Sequence, residues 1–228
     1  MGAEQEVRAH WDALHAEPGF APRYPAEAVV RWLFRNLPRS RAREFHLLDA
    51  GCGGGRHALL FAREGYRTDA CDASTRGLEL LRNAAKAEGH KIRLRTAQID
   101  VLPYEDASFD GVLVWGVIYY LPLERYAAAV SELLRVLKPR GRALVLVKSI
   151  SDARKSHSEA LSHNSFRVVR APAGMPWENE IGLELTLLGH AEIERLFGQF
   201  GEIQVENSRV TMADGRYADD DWHIYLCK

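Results

Sequence analysis

The sequence predicts an α/β fold in which a mostly parallel sheet carries helices on both faces. From Phe45 onward, short apolar runs typical of buried strands alternate with segments of helical periodicity, and this alternation favours βαβ units. A chain of 228 residues with 46% apolar and 27% charged residues suits one large globular domain with a full core. We therefore expect one domain over residues 1–228.

The predicted elements follow one another in a regular order. Residues 1–40 are expected to be helical, with Trp11 and Leu14 on one stripe and a second helix starting after Pro25. Strands are predicted near residues 45–50, 66–72, 91–98, 109–115 and 141–148. Helices are predicted near residues 56–64, 75–88 and 122–137, with Ser74 or Thr75 as an N-cap.

A glycine-rich turn at residues 49–55, with the sequence Asp-Ala-Gly-Cys-Gly-Gly-Gly, lies between the first strand and the helix that follows it. Glycine suits this position because the backbone must turn sharply and let a ligand approach where a Cβ would collide. The start of the next helix offers unpaired N–H groups to polar or anionic ligand atoms. Open α/β sheets bind ligands at such strand ends, so a ligand site is predicted here.

The turn also fits a loose dinucleotide-binding pattern. Gly53, Gly55 and Ala58 satisfy G-x-G-x-x-G/A, and Asp72 follows at a suitable distance. Asp49, however, lies two residues before the first glycine, where its carboxylate would repel a pyrophosphate. A ligand with an ammonium group would suit Asp49 better. A dinucleotide-dependent oxidoreductase is therefore kept as an alternative.

Four separated segments, in order, resemble the motifs of class I S-adenosylmethionine-dependent methyltransferases. They are residues 49–55, residues 66–74 ending near Asp72, residues 102–110 and residues 134–142. The resemblance covers residues 45 to 148. It implies a Rossmann-like, seven-stranded, mostly parallel sheet with an antiparallel C-terminal hairpin, formed by strands at 203–205 and 222–227 joined by a long loop.

The resemblance implies S-adenosyl-L-methionine as the cofactor and assigns most of its site. Asp72 would accept hydrogen bonds from both ribose hydroxyls, although an N-cap role is the alternative. Either Gln98 or Asp100 would bind the adenine amino group, with a slight preference for Gln98. The expected cofactor-binding residues are Asp49, Gly51, Cys52, Gly53, Asp72, Ala73, Gln98, Ile99, Asp100, Trp115, Gly116, Tyr24 and Trp11.

Several aromatic and histidine side chains are candidates for contacts near the reacting group. Trp11 and Tyr24 could face the sulfonium, because aromatic faces attract cations; Trp11 could equally anchor an amphipathic helix. Tyr119 and Tyr120 could face the acceptor, and we expect only one to reach it, with core packing as the alternative. His157 and His163 are further candidates for substrate contact, although surface positions are the more common outcome.

Residues 149–188 break the regular alternation and are predicted to form a lid over the carboxyl edge of the sheet, with one strand near 165–170. The segments are thus an N-terminal helical cap (1–40), a cofactor-binding core (41–148), this lid, and a C-terminal helix and strands (189–228). Arg56 and His57 follow the glycines. They are expected either to contact the cofactor's carboxylate or to lie on the helix surface.

Charge and cysteine content narrow the classes of partner and compartment. A net charge of −1 favours neither nucleic acid nor an anionic membrane as partner. The cysteines Cys52, Cys71 and Cys227 lack C-x-x-C spacing, which argues against a zinc site or disulfide framework and favours the cytoplasm. No apolar run is long enough for a membrane span. The oligomeric state is left open.

The sequence therefore predicts a methyltransferase that acts on a small molecule by in-line displacement. Such a reaction needs positioning and exclusion of water but no metal and no covalent intermediate. No catalytic residue is assigned. A tRNA or protein methyltransferase and a non-catalytic nucleoside-binding module remain alternatives, besides the oxidoreductase.

Overall fold

Five parallel strands form the centre of the sheet in the computed structural model, which describes residues 3–17 and 20–228. Their order across the sheet is β3-β2-β1-β4-β5, and neighbouring strands end close to one another, as Ala50 pairs with both Cys71 and Val114. The carboxyl ends of these strands therefore meet at one edge. The five strands are β1 (His46–Ala50), β2 (Arg67–Asp72), β3 (Ile92–Thr96), β4 (Phe109–Val114) and β5 (Leu137–Ser149).

The C-terminal hairpin completes the seven strands that the sequence predicts. Strand β10 (Tyr217–Cys227) pairs antiparallel with β5 and with β9 (Glu202–Met212). The expectation of a long connecting loop is wrong, because both strands continue through polar residues to a tight turn at residues 213–216. Strand β9 lies at an edge and is largely exposed, so its polar side chains face water while its backbone stays paired.

Helices cover both faces of the sheet. On one face, Leu48 and Val112 pack with Leu133 and Phe197, whereas on the other face Leu47 packs with residues that include Trp32. The alternation of Leu47 and Leu48 is that of a strand buried on both sides. The helices are α1 (Ala3–Ala16), α2 (Glu27–Asn36), α3 (Arg56–Arg63), α4 (Thr75–Ala87), α5 (Leu123–Val136) and α6 (His190–Phe197).

Residues 149–188 add three short strands that extend the sheet beyond β5. These are β6 (Ser158–Ala160), β7 (Ser165–Val168) and β8 (Glu184–Leu188); β8 joins β5 where Lys148 pairs with Leu187. Only β7 was expected from the sequence. Because β8 attaches at the carboxyl end of β5, the segment lies beside the edge at which the central strands end. None of the helices described is long and apolar enough to cross a membrane.

Candidate functional site

A cavity of about 330 Å³ lies at the carboxyl edge of the central strands. It is bounded by α1, the glycine turn, the ends of β2 and β4, and residues 176–180 of the inserted segment. Of the residues expected at the cofactor or substrate, those that line it are Trp11, Gly51, Cys52, Gly53, Asp72, Ala73, Gln98, Ile99, Trp115, Gly116, Tyr119 and Tyr120. The fold thus brings together residues from distant parts of the sequence.

The glycine turn depends on backbone that other residues rarely adopt. Gly51 has φ of +77° and Gly55 has φ of +88°. A Cβ at Gly51 would lie 2.5 Å from Val117 Cγ1, and one at Gly55 would lie 2.7 Å from Leu81 Cγ. The turn is therefore packed against the end of β4 on one side and α4 on the other. Its backbone can approach a ligand without an intervening side chain.

Asp72 fixes the glycine turn to the end of β2. Its Oδ2 accepts from the Gly53 N–H at 2.7 Å, and its Oδ1 accepts from the Ser74 N–H at 2.8 Å. Ser74 in turn caps α4, since its Oγ accepts from the Gly77 N–H at 3.0 Å. Burial raises the pKa of Asp72, while the two N–H donors oppose that rise. A carboxylate has about four acceptor positions, so Asp72 can still accept from a ligand.

Asp49 lies behind the turn and outside the cavity lining. Its carboxyl is 1% exposed and its Oδ2 accepts from the Ala58 N–H at 2.9 Å, within the first turn of α3. Burial raises the pKa of Asp49 to about 7, and the nearby charge of Asp72 adds to the rise. Asp49 therefore supports the start of α3 instead of facing a ligand.

Gln98 and Asp100 take different directions beyond β3. Gln98 and Ile99 line the cavity, whereas the Asp100 carboxylate accepts from Nε and Nη2 of Arg125 at 2.6 and 2.7 Å. Asp100 is thus paired with a residue of α5. Of the two residues, Gln98 is therefore the one that a ligand in the cavity can contact.

Tyr119 and Tyr120 both line the cavity, whereas the sequence led us to expect only one. Both tyrosines lie in a 3-10 turn, residues 118–120, and their ring centroids are 4.4 Å apart. The ring of Trp11 packs against that of Tyr120, with 4.7 Å between the centroids. Burial raises the pKa of Tyr119 to about 12. Tyr24, in contrast, is 73% exposed and lies outside the cavity lining.

The histidines near this edge differ in their contact with the cavity. His157 packs against Trp177 and Tyr217, and the side chain of His163 is 88% exposed, so both lie outside the cavity lining. His57 lines the cavity and is buried, where its Nε2 accepts from the Ala26 N–H at 3.2 Å. Burial, assisted by the charge of Arg56, lowers the pKa of His57 to about 3. His57 is therefore neutral at pH 7.

Sequence reasoning missed a buried ionic network beside the cavity. It contains Lys148 at the end of β5 and Arg154 in the inserted segment. In the part of the chain that the structure describes, their carboxylate partners are Asp152, Glu180, Asp219 and Asp221. Glu180 also lines the cavity, together with Pro176 and Asn179.

Two acids of this network have pKa values shifted in opposite directions. Burial alone would raise the pKa of Asp219, but Lys148 and Arg154 outweigh it and hold that pKa at about 2. Burial raises the pKa of Asp221 to about 6 in spite of Lys148, which lies 2.7 Å away.

Within residues 3–17 and 20–228, no group of three His, Cys, Asp or Glu side chains could hold a metal ion, and Cys52, Cys71 and Cys227 are free.

Comparison with known proteins agrees with this geometry. Residues 47–141 match the family described as "Methyltransferase domain". The chain is 32% identical over 144 residues to a ubiquinone biosynthesis O-methyltransferase of Methylocella silvestris, an alignment that covers 60% of this chain and 54% of that protein. The chain spans about half the length of the curated relatives that it matches.

Two solved structures share the fold. A SAM-dependent methyltransferase from Methanosarcina mazei superposes with a TM-score of 0.69 at 19% identity, covering 90% of this chain and 98% of the other. The second is the 1,6-didemethyltoxoflavin-N1-methyltransferase of Burkholderia thailandensis, solved with 1,6-didemethyltoxoflavin and S-adenosylhomocysteine. It superposes with a TM-score of 0.63 at 16% identity, covering 100% of this chain and 91% of the other. The Rossmann-like fold expected from the sequence is thus confirmed.

Proposed function

Because residues 47–141 match the family described as "Methyltransferase domain", we propose that this chain transfers a methyl group from S-adenosyl-L-methionine to a small-molecule acceptor. The observation that carries the proposal is the Asp72 carboxylate, which two backbone N–H groups fix beside the glycine turn at the cavity wall. Such a carboxylate has acceptor positions left for a pair of ribose hydroxyls. Its anchoring to Gly53 couples the turn to the same ligand.

The residues around the cavity fit the rest of this cofactor. Gly51 and Gly53 let the backbone approach the amino-acid part, and Arg56 offers a cation for its carboxylate. Gln98 has both a donor and an acceptor for the adenine edge, and Ile99 offers an apolar wall. The bound cofactor would supply a methyl group already activated by the sulfonium. The chain then has to orient the acceptor and exclude water.

Two of the titratable groups that line the cavity, His57 and Tyr119, are unsuited to remove a proton at pH 7. Effective bases have pKa values near the working pH. His57 has a pKa of about 3 and already accepts from a backbone N–H, while Tyr119 has a pKa of about 12. We therefore propose transfer by positioning: the lone pair of the neutral acceptor forms the bond to the methyl carbon as the C–S bond breaks, S-adenosylhomocysteine leaves, and the acceptor's proton passes to solvent.

A small acceptor is favoured over tRNA or protein by the charges of the cavity lining. Besides its histidines, the charged side chains among the described lining residues are Arg56, Asp72 and Glu180, which do not form a basic rim. We propose that residues 149–188 act as the lid over this pocket and that the protein works in the cytoplasm.

Calorimetric titration tests the proposal. Wild-type protein is titrated with S-adenosylmethionine, S-adenosylhomocysteine, NAD and NADP, and the titrations are repeated on Asp72→Ala and on Asp106→Ala, an exposed acid that does not line the cavity. We expect binding of the sulfonium compound and its product, weakened about tenfold or more only in Asp72→Ala, which corresponds to about 1.4 kcal/mol. Circular dichroism checks that both variants fold.

Other outcomes of the titration would separate the alternatives. Tight binding of NAD or NADP with no binding of S-adenosylmethionine would overturn the proposal in favour of an oxidoreductase. Binding of the cofactor without methyl transfer to any of a broad panel of amines, phenols, thiols and carboxylic acids would indicate a nucleoside-binding module.

A further inference from the structure

The inserted segment places one carboxylate, Glu180, in the wall of the cavity. Glu180 is 9% exposed and lies with Asn179 in a short helical turn, Glu178–Glu180. Its Oε2 accepts from Arg154 Nε at 2.7 Å and its Oε1 accepts from Arg154 Nη2 at 3.1 Å. Each oxygen thus uses one acceptor position, and about two of four remain. An ionised carboxylate only accepts, so a ligand group that meets Glu180 must be a donor.

Arg154 makes this carboxylate rigid. A guanidinium that donates two parallel N–H bonds holds a carboxylate in one plane. Arg154 itself is held from the other side, since its Nη1 donates to Asp152 Oδ1 at 3.1 Å and to Asp219 Oδ1 at 2.7 Å. Its guanidinium also lies 4.9 Å from the ring centroid of the buried Trp177. Glu180 therefore lines the cavity with its carboxylate held in one orientation.

The charge around Glu180 is negative in balance. Within the described part of the chain, the ionic network has two cations, Lys148 and Arg154, and four carboxylates. Neighbouring Asp220 is balanced separately by Arg209 at 3.0 Å. The cation that lines the cavity, Arg56, follows the glycine turn and donates to the Tyr24 carbonyl oxygen at 3.3 Å. A buried excess of negative charge repels anions and attracts cations.

From these contacts we propose that Glu180 binds the methyl acceptor through an N–H donor, and that the acceptors are amines or N–H heterocycles without negative charge. This inference rests on the proposed function and names the class of its substrate. The aromatic wall of Trp11, Tyr119 and Tyr120 suits the same class, because aromatic faces attract flat rings and cations. Arg154 acts as a positioning residue for Glu180.

Three matched probes test the inference on protein saturated with S-adenosylhomocysteine. Benzylamine, benzyl alcohol and benzoate share one ring and differ in the group that Glu180 would meet. Their dissociation constants are measured by ligand-observed NMR on the wild type, on Glu180→Gln, and on Glu184→Gln as a control. Glu184 lies in the same inserted segment, in an exposed ion pair with Arg167.

We expect the wild type to bind benzylamine at least about tenfold more tightly than either benzyl alcohol or benzoate. In Glu180→Gln the preference over benzoate should fall below about threefold, while Glu184→Gln keeps it. A purely structural role of Glu180 would weaken all three probes together and leave their ratios unchanged.

Two results would overturn the inference: benzoate or benzyl alcohol binding as tightly as benzylamine to the wild type, or an unchanged preference in Glu180→Gln. The ratios of the three dissociation constants for the wild type test the inference even if Glu180→Gln does not fold. Failure of the proposed function is seen separately, since S-adenosylhomocysteine would then not bind to the wild type. If it binds and the ratios are flat, only the acceptor class is wrong.

Discussion

The two halves of the cavity are held together by different kinds of contact. In the glycine-turn half, Asp72 bonds to the N–H of Gly53, 19 residues away, and Asp49 bonds to the N–H of Ala58, nine residues away. In the inserted half, Arg154 and Glu180 are 26 residues apart. Lys148 and Asp219 are 71 apart. The first half is organised by side chains that bind nearby backbone, and the second by charged side chains that bind one another across long separations.

This difference determines which substitutions destabilise each half of the cavity. A turn built on backbone conformation is damaged by side chains that the backbone cannot accommodate. A buried ionic network is damaged by the loss of any one partner, because the remaining charges lose their compensation in a poorly solvated place. We therefore expect the inserted half to contribute more to stability and the turn half more to cofactor binding.

The largest effect is expected for Arg154→Met, which leaves Glu180, Asp152 and Asp219 without a shared cation. The free energy of unfolding should fall by about 3–5 kcal/mol, the range for breaking a buried ion pair from one side. Urea unfolding of both proteins at pH 7 measures it. Arg167→Met removes an exposed ion pair from the same segment and should cost less than about 1 kcal/mol. Equal losses would show that burial is not the cause.

The pH dependence of Arg154→Met follows from the pKa of Asp219. That pKa is about 2 in the folded protein against an ordinary value of 3.8, so its stabilisation is complete above about pH 4 and is lost as the pH falls towards 2. The variant lacks the part of this stabilisation that Arg154 supplies, and that part exists only while Asp219 is ionised. The difference in unfolding free energy between wild type and variant should therefore shrink as the pH is lowered from 5 to 3.

In the turn half, Gly51→Ala should lower the unfolding free energy by about 2–4 kcal/mol, combining left-handed strain with the collision against Val117. Gly89→Ala is the matched control. Its φ is +75° but its Cβ would meet open space, so only strain of about 1–2 kcal/mol applies. Thermal and urea unfolding compare the two. S-adenosylmethionine affinity should fall in Gly51→Ala and stay unchanged in Gly89→Ala. Equal stability losses would mean that packing against β4 is unimportant.

The same division explains what the sequence could predict. The strand–turn–helix order, the Ser74 cap and the position of Asp72 all follow from short spacings, since a strand end and the following helix are adjacent in the chain. The burial of Lys148 and Arg154 in an ionic network could not be predicted, because most of their carboxylate partners lie far away in sequence. The burial of His57 likewise depends on the segment before α2, which brings the Ala26 N–H to its ring.

Tyr119 and Tyr120 show another limit of prediction from sequence. An extended strand would direct neighbouring side chains to opposite faces, which is why only one of Tyr119 and Tyr120 was expected at the cavity. The chain instead forms a 3-10 turn after β4, and both rings reach the cavity wall. Such a short turn leaves no periodic signal in the sequence.

The smallest effect concerns Gln98 and Asp100, which spacing alone left undecided. Gln98→Ala should weaken S-adenosylmethionine binding about three- to tenfold, since it removes the amide of a residue that lines the cavity. Asp100→Asn keeps the shape and weakens only the pair with Arg125, so affinity should change less than about twofold. Calorimetry on both variants measures the affinities. The reverse order would mean that Asp100 leaves Arg125 when the cofactor binds, so that a contact between distant segments, and not the local turn, would determine how the adenine is bound.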